Sequence, residues 1–178
     1  MKNFVVLDLE TTGLTPKTDR ILEIGAVKVV DGEIKERYST FINPQMEIPR
    51  RITELTGITG DMVKDAPLRE EAVRGLVEFC QELPLLGHNI LFDYSFVKHD
   101  AVNLGLVFEK ERWTLCRLPV RRFRSWRAAV WNFSAVTMGS AGKTPTAPWT
   151  TRWRPWICTG SWKNSLRGSI RNGFRQSR

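Results

Sequence analysis

Over its first hundred residues the chain alternates short apolar runs with turn residues, and the spacing of those runs predicts the elements. Phe4-Val5-Val6-Leu7 leads into Asp8-Leu9-Glu10 and is closed by Thr11-Thr12-Gly13. An apolar run ended by threonine and glycine predicts a buried central strand followed by a turn. Residues 15–19 form a turn-rich loop, and residues 20–30 read as a second strand. Asp31-Gly32 is a two-residue hairpin signal and residues 33–41 alternate, so the first three strands are expected to make an antiparallel meander. Short helical turns are predicted over residues 52–55 and 59–63. Leu68, Ala72, Val73, Leu76, Val77 and Phe79 then fall near helical spacing, with Pro67 suited to the first turn. Residues 84–89 predict a fourth strand that follows a helix and so lies parallel to the first. A further amphipathic helix opens at Phe92 and runs to Gly105. The expected fold class is α/β, a mixed sheet of three antiparallel strands and one parallel strand, flanked by helices.

Charge changes the picture of the chain's second part. The 178 residues carry a net charge of +8, which by itself suggests a nucleic-acid partner. Its distribution is lopsided. Residues 1–112 hold all 19 acids and 14 of the 27 basic residues, a net −5, whereas residues 113–178 hold 13 basic residues and no acid. All seven tryptophans, from Trp113 to Trp162, also follow Arg112. Two chemically different texts meet near residue 112, and the expected division is 1–112 and 113–178. No apolar run has membrane-spanning length, the first residues lack a signal-peptide layout, and Cys80, Cys116 and Cys158 lack metal-site spacing. A cytoplasmic chain with reduced thiols and no membrane partner is expected.

The candidate chemistry lies at the end of the first strand. Residues two apart in a strand share a face, so Asp8 and Glu10 present their carboxylates together. Two acids this close repel, and burying them unpaired is costly. A hard divalent cation with oxygen ligands satisfies both. An arbitrary D-x-E is more often a pair of solvated acids, but the apolar run before it and the T-T-G after it favour the metal. Asp93, opening the last predicted helix, is expected near the same strand end, where it completes a three-carboxylate cluster.

V-V-L-D-L-E-T-T-G-L, then E-I-G-A-V, L-T-G-I-T and G-H-N-I-L-F-D-Y-S-F resemble the motifs of the DEDD 3′–5′ exonuclease family. The likeness is greatest to epsilon-type proofreading exonucleases and the exonuclease modules of C-family replicative polymerases, over about residues 3–112. The resemblance implies an RNase H-like fold and removal of nucleoside monophosphates from single-stranded DNA 3′ ends by two Mg²⁺ or Mn²⁺ ions, with a replicative polymerase as a possible partner. It assigns Asp8, Glu10 and Asp93 as metal ligands and catalytic residues. It places Leu9, Thr11, Thr12, Leu55, Thr56, His88, Asn89 and Phe92 at the terminal nucleotide. Phe92 and Leu55 would stack or wedge rather than read base edges, and His88 would shape the pocket rather than carry a proton.

The family also carries a third motif, a histidine followed five residues later by an aspartate, which supplies the general base and a further ligand. This chain has no such pair; His99, in K-H-D-A, is a helix-surface residue. We attribute the loss to a shifted reading frame from about residue 113. Joining the third base of each codon to the first two of the next turns Trp113-Thr114, Trp149-Thr150 and Trp156-Ile157 into aspartates. Trp131-Asn132 and Trp162-Lys163 become glutamates. Residues 145–152 become compatible with H-R-A-L-D-D-A, which is the absent motif, residues 112–116 with M-D-T-L, and residues 136–140 with H-Y-G-I.

A basic, tryptophan-rich tail that binds single-stranded nucleic acid by charge and stacking is the competing reading, and it would make the chain a non-catalytic nucleic-acid or polymerase-binding module. Sequencing the gene across codons 108–118 separates the two. The frame account expects a gained or lost base relative to sister isolates, and an uninterrupted frame in all of them would overturn it.

Overall fold

The computed structural model describes residues 2–114, and the readings that fall on residues 115–178 lie outside the described residues. Strand β1 (Phe4–Thr11) is followed by β2 (Ile21–Val30), β3 (Glu33–Phe41), α1 (Arg50–Thr56), α2 (Gly60–Val63) and α3 (Arg69–Cys80). Then come β4 (Leu85–Gly87), α4 (Ile90–Asn103) and β5 (Arg112–Thr114). The sheet order is β3-β2-β1-β4-β5. β1 pairs antiparallel with β2 and parallel with β4, and β5 lies parallel to β4. The meander and the parallel fourth strand are therefore present, and β5 extends the sheet by a strand that the apolar pattern does not announce. It is three residues long, and its backbone pairs Arg112, Trp113 and Thr114 with Leu85, Leu86 and Gly87.

The pleat of β1 explains the core. Val5, Leu7 and Leu9 point to one face and join Ile24 and Ala26 of β2 beneath Val73 and Leu76 of α3 and Phe96, Val97 and Ala101 of α4. Phe4 and Val6 point to the other face and cluster with Val27, Val29 and Leu86. β1 is thus apolar on both sides through Leu7, as a central strand with a parallel neighbour must be. A bulge follows its acids. Glu10 pairs with Glu23 and Thr11 with Ile21, which leaves Leu22 as the extra residue. Leu22 turns into a satellite cluster with Ile48, Ile52, Ile58 and Val63, and this cluster anchors α1 and α2.

Helix boundaries depart from the sequence pattern where local bonds compete with periodicity. α1 begins directly after Pro49, whose fixed φ of −56° suits the residue before a first turn. α3 begins at Arg69 rather than Pro67. The Pro67 carbonyl instead accepts the Asn43 amide, and Leu68 forms a bridge with Asn43. Gly75 lets α3 lie against β3, because a Cβ there would come 2.7 Å from the Tyr38 hydroxyl, which donates to the Ala72 carbonyl.

Leu76 is fully buried in the main cluster. Truncation to alanine is expected to destabilise the chain by about 2–5 kcal/mol. Exposed Val107 should tolerate the same change within about 0.5 kcal/mol. Urea unfolding of the two variants checks both.

A carboxylate site at the end of strand β1

The site forms where β1 outruns β4. The amides of odd-numbered β1 residues face β4, and that of Val5 donates to the Pro84 carbonyl. Pairing with β4 ends at Val6 and Leu86, so the Leu9 amide lies beyond the ladder and needs another acceptor. Asp93 supplies it, with Oδ1 accepting the Leu9 N–H at 3.2 Å. Its carboxylate is 5% exposed and sits in the first turn of α4, where the helix dipole favours an anion. Gly87 makes the approach possible. A Cβ at that position would lie 2.9 Å from both the Leu7 carbonyl oxygen and the Ile90 side chain. The chain can therefore leave β4 close against β1, turn through His88 and Asn89, and start α4 with Asp93 beside Leu9.

Asp8 and Glu10 project from the face opposite Leu9, so three carboxylates belong to one strand end: two on its face and one bonded to the backbone between them. Among the described residues no three His, Cys, Asp or Glu side chains converge as a ready-made ion cage. The donor set is all oxygen. It suits a magnesium-type ion, which takes one or two carboxylates and completes its shell with water and phosphate oxygens, better than an ion that needs a closed protein cage.

Sequence reasoning missed a fourth acid. Glu23 stands directly opposite Glu10 across the β1–β2 pair and is 8% exposed. Burial, reinforced by the charge of Asp8, pushes its carboxyl from an ordinary 4.5 up to about 7. The signal was present in Arg20-Ile21-Leu22-Glu23-Ile24, a lone acid inside an apolar strand.

The residues assigned to the terminal nucleotide are distributed around this strand end. Thr11 donates to the Gly13 carbonyl at 2.7 Å, and Thr12 Oγ1 accepts the Arg20 amide at 2.9 Å. Both hydroxyls hold the loop from 11 to 20 in shape. Leu9 is buried in the main cluster. Leu55 is 43% exposed on the last turn of α1. Thr56 bonds the Ile52 carbonyl and the Ile58 amide. α1 belongs to this end of the sheet because Ile52 packs with Leu22 and Phe41, and Phe41 pairs with Glu23. Asn89 precedes α4, and Phe92 packs on Phe96 with ring centroids 5.0 Å apart. His99 is engaged elsewhere, its Nδ1 lying 3.2 Å from Asp100, whose carboxyl burial pushes up. Cys80 is a buried free thiol, raised by burial to about 12, and so is inert.

The Glu23 shift has a definite sign. A carboxyl whose pKa is raised by folding contributes stability in full below 4.5, and that contribution disappears as pH rises through about 7. In EDTA, thermal stability is expected to fall between pH 5 and pH 8, and Glu23→Gln should flatten that fall.

Comparison with known proteins identifies the site's context. A family model described as Exonuclease (RNase T) matches residues 5–124. The chain is 51% identical over 106 residues to the PolC-type DNA polymerase III of Caldanaerobacter subterraneus subsp. tengcongensis, covering 60% of this chain and 8% of that protein. It is 40% identical over 105 residues to the 3′-5′ exonuclease DinG of Bacillus subtilis, covering 58% of this chain and 11% of the relative. The chain thus spans about a tenth or less of the length of these relatives. Among solved structures, E. coli exonuclease I in complex with an oligonucleotide superposes with a TM-score of 0.57 at 18% identity, over 65% of this chain and 28% of that one. That likeness places the mixed sheet and its helices in the RNase H-like fold. With the matching family model spanning most of the chain, this protein belongs to the RNase T family of exonucleases.

Proposed function

We propose that this strand end is a metal-dependent 3′–5′ exonuclease site acting on single-stranded DNA, with Asp8, Glu10 and Asp93 as its ligands. The carrying observation is the bond from the Leu9 amide to Asp93, which fixes the third acid at the strand that bears the other two. Mg²⁺ or Mn²⁺ bound there would activate water and neutralise charge on the departing 3′ oxygen. Hydrolysis adds water across the terminal phosphodiester, so the phosphorus–oxygen bond to the 3′ oxygen breaks and a nucleoside monophosphate leaves.

The chain's own residues do the positioning. Asp8 and Glu10 face the scissile phosphate, and Asp93 is prevented from swinging away by its backbone bond. Exposed Leu55 offers an apolar edge to the terminal base, and Phe92 offers a ring face. Thr11 and Thr12 shape the adjoining loop, Thr56 stiffens the turn after α1, and His88 and Asn89 line the approach from β4. Substrate and polymerase partnership are read from the relatives and from the motifs, and a cytoplasmic location from the three cysteines without disulfide or metal-site spacing. No described helix is long and apolar enough to cross a membrane.

Residues 1–112 carry this site, and residues 113–178 are the out-of-frame part. The general base and fourth ligand therefore belong to the restored frame. Losing a general base costs about 10²–10⁴-fold, and losing a ligand adds to that. With a 3′-labelled oligonucleotide and Mg²⁺, the chain as written should release mononucleotides at least about 100-fold more slowly than a frame-restored version. Asp8→Ala should abolish the restored activity. Robust release by the unrepaired chain would overturn the assignment of the missing motif.

The excess of 13 basic residues after Arg112 favours a second reading, binding without hydrolysis. Steeply salt-dependent DNA binding that disappears on deleting residues 113–178 would support it.

A further inference from the structure

Glu23 has no role among the residues assigned to the site, yet its place in the sheet is hard to explain by packing alone. Its register partner on β1 is Glu10, and its partner on β3 is Phe41. An acid faces it on one side and a phenyl ring on the other. Like charges directly opposite in an antiparallel pair are destabilising, and burial of Glu23 together with the charge of Asp8 adds to the cost of keeping its carboxylate ionised. Among the described residues, Glu23 makes no side-chain hydrogen bond or ion pair.

The basic groups nearby in sequence are committed elsewhere. Lys28 projects from the opposite face of β2, where it pairs with Glu36 at 3.0 Å and lies over the Phe79 ring. Arg20 donates to the Asp19 carbonyl. Asp8 pairs with Gly25, which has no side chain, so nothing on β2 stands between Asp8 and Glu23 on the diagonal. Asp8, Glu10 and Glu23 therefore occupy three corners of one patch on the pleated surface, and Gly25 leaves the fourth corner open.

We propose that Glu23 is a positioning residue of the divalent-cation site, accepting hydrogen bonds from water on an ion held by Asp8 and Glu10. This rests on the metal reading of those two acids. The outer role follows from the register, since Glu23 stands on the neighbouring strand β2, across the pair from Glu10, rather than on β1 with Asp8 and Glu10. A magnesium-type ion keeps several of its waters, and a carboxylate one strand away is placed to orient them. The bulge beside Glu10 fixes which β2 residue stands at that position.

The test uses the full 178-residue chain and Mn²⁺ alone, with binding followed by loss of the free-ion electron paramagnetic resonance signal and by thermal unfolding with and without the ion. Glu23→Gln keeps the shape and removes the charge. It is expected to weaken Mn²⁺ binding about tenfold or more, to raise the melting temperature in EDTA, and to shrink the rise that Mn²⁺ produces. A merely structural glutamate would not show that pair of opposite changes.

Asp8→Asn separates the two levels of the inference. If Asp8→Asn abolishes binding while Glu23→Gln binds within about twofold of the wild type, the role of Glu23 is overturned and the metal reading stands. If the wild type binds no Mn²⁺, or Asp8→Asn leaves binding unchanged, both fall. Should Glu23→Gln not fold, Glu23→Asp, which withdraws the carboxylate by one methylene, is judged by the same threshold.

Discussion

The structure depends on one constraint: β1 must be apolar on both faces where it is flanked on both edges, and polar where its parallel neighbour ends. Phe4 to Leu7 meet the first demand by filling the clusters on the two sides of the sheet. Past Val6 the ladder to β4 stops, and the next amide facing that edge beyond the pairing has to be satisfied by a side chain. The Asp93 carboxylate does so. The same bond that completes the backbone accounting of a core strand therefore carries an acid to the place where two others already stand. Stability and site geometry share a single contact here, and neither can be altered without the other.

The fold was largely legible because its elements announce themselves locally. A T-T-G stop, a D-G hairpin and a helical spacing over residues 68–79 are short-range signals, and the strands and helices they indicate are present. The strand β5 was not legible. Three residues with no apolar run carry no period, and their pairing is decided by the backbone of β4. The start of α3 was misplaced for a related reason, since Pro67 is drawn into a bond with Asn43, a residue 24 positions away.

The site was legible to different depths. Asp8 and Glu10 follow from the pleat. Asp93 follows from its motif, and its bond to Leu9 shows how the helix start and the strand end come together. Glu23 could not be placed from spacing, because a bulge shifts the register between β1 and β2 just at Glu10. Counting along the strands cannot foresee which residue a bulge sets aside. The two threonine hydroxyls carry a role that the motifs do not announce, since each also bonds within its own loop. Small polar side chains after a strand serve the turn first.

The edge strand β5 has a bearing on the gene as well as on the protein. Its second residue, Trp113, is 38% exposed and lies within the acid-free stretch, yet the ladder to β4 continues through Thr114. Peptide groups are the same whatever codon specified them, so a sheet margin is indifferent to the alphabet that a ribosome happens to be reading. A change of reading frame at this position would meet little resistance from the finished ladder, while the same change thirty codons earlier would erase α4 and with it Asp93. Where such a change falls would decide how much of the sheet and its helices outlasts it.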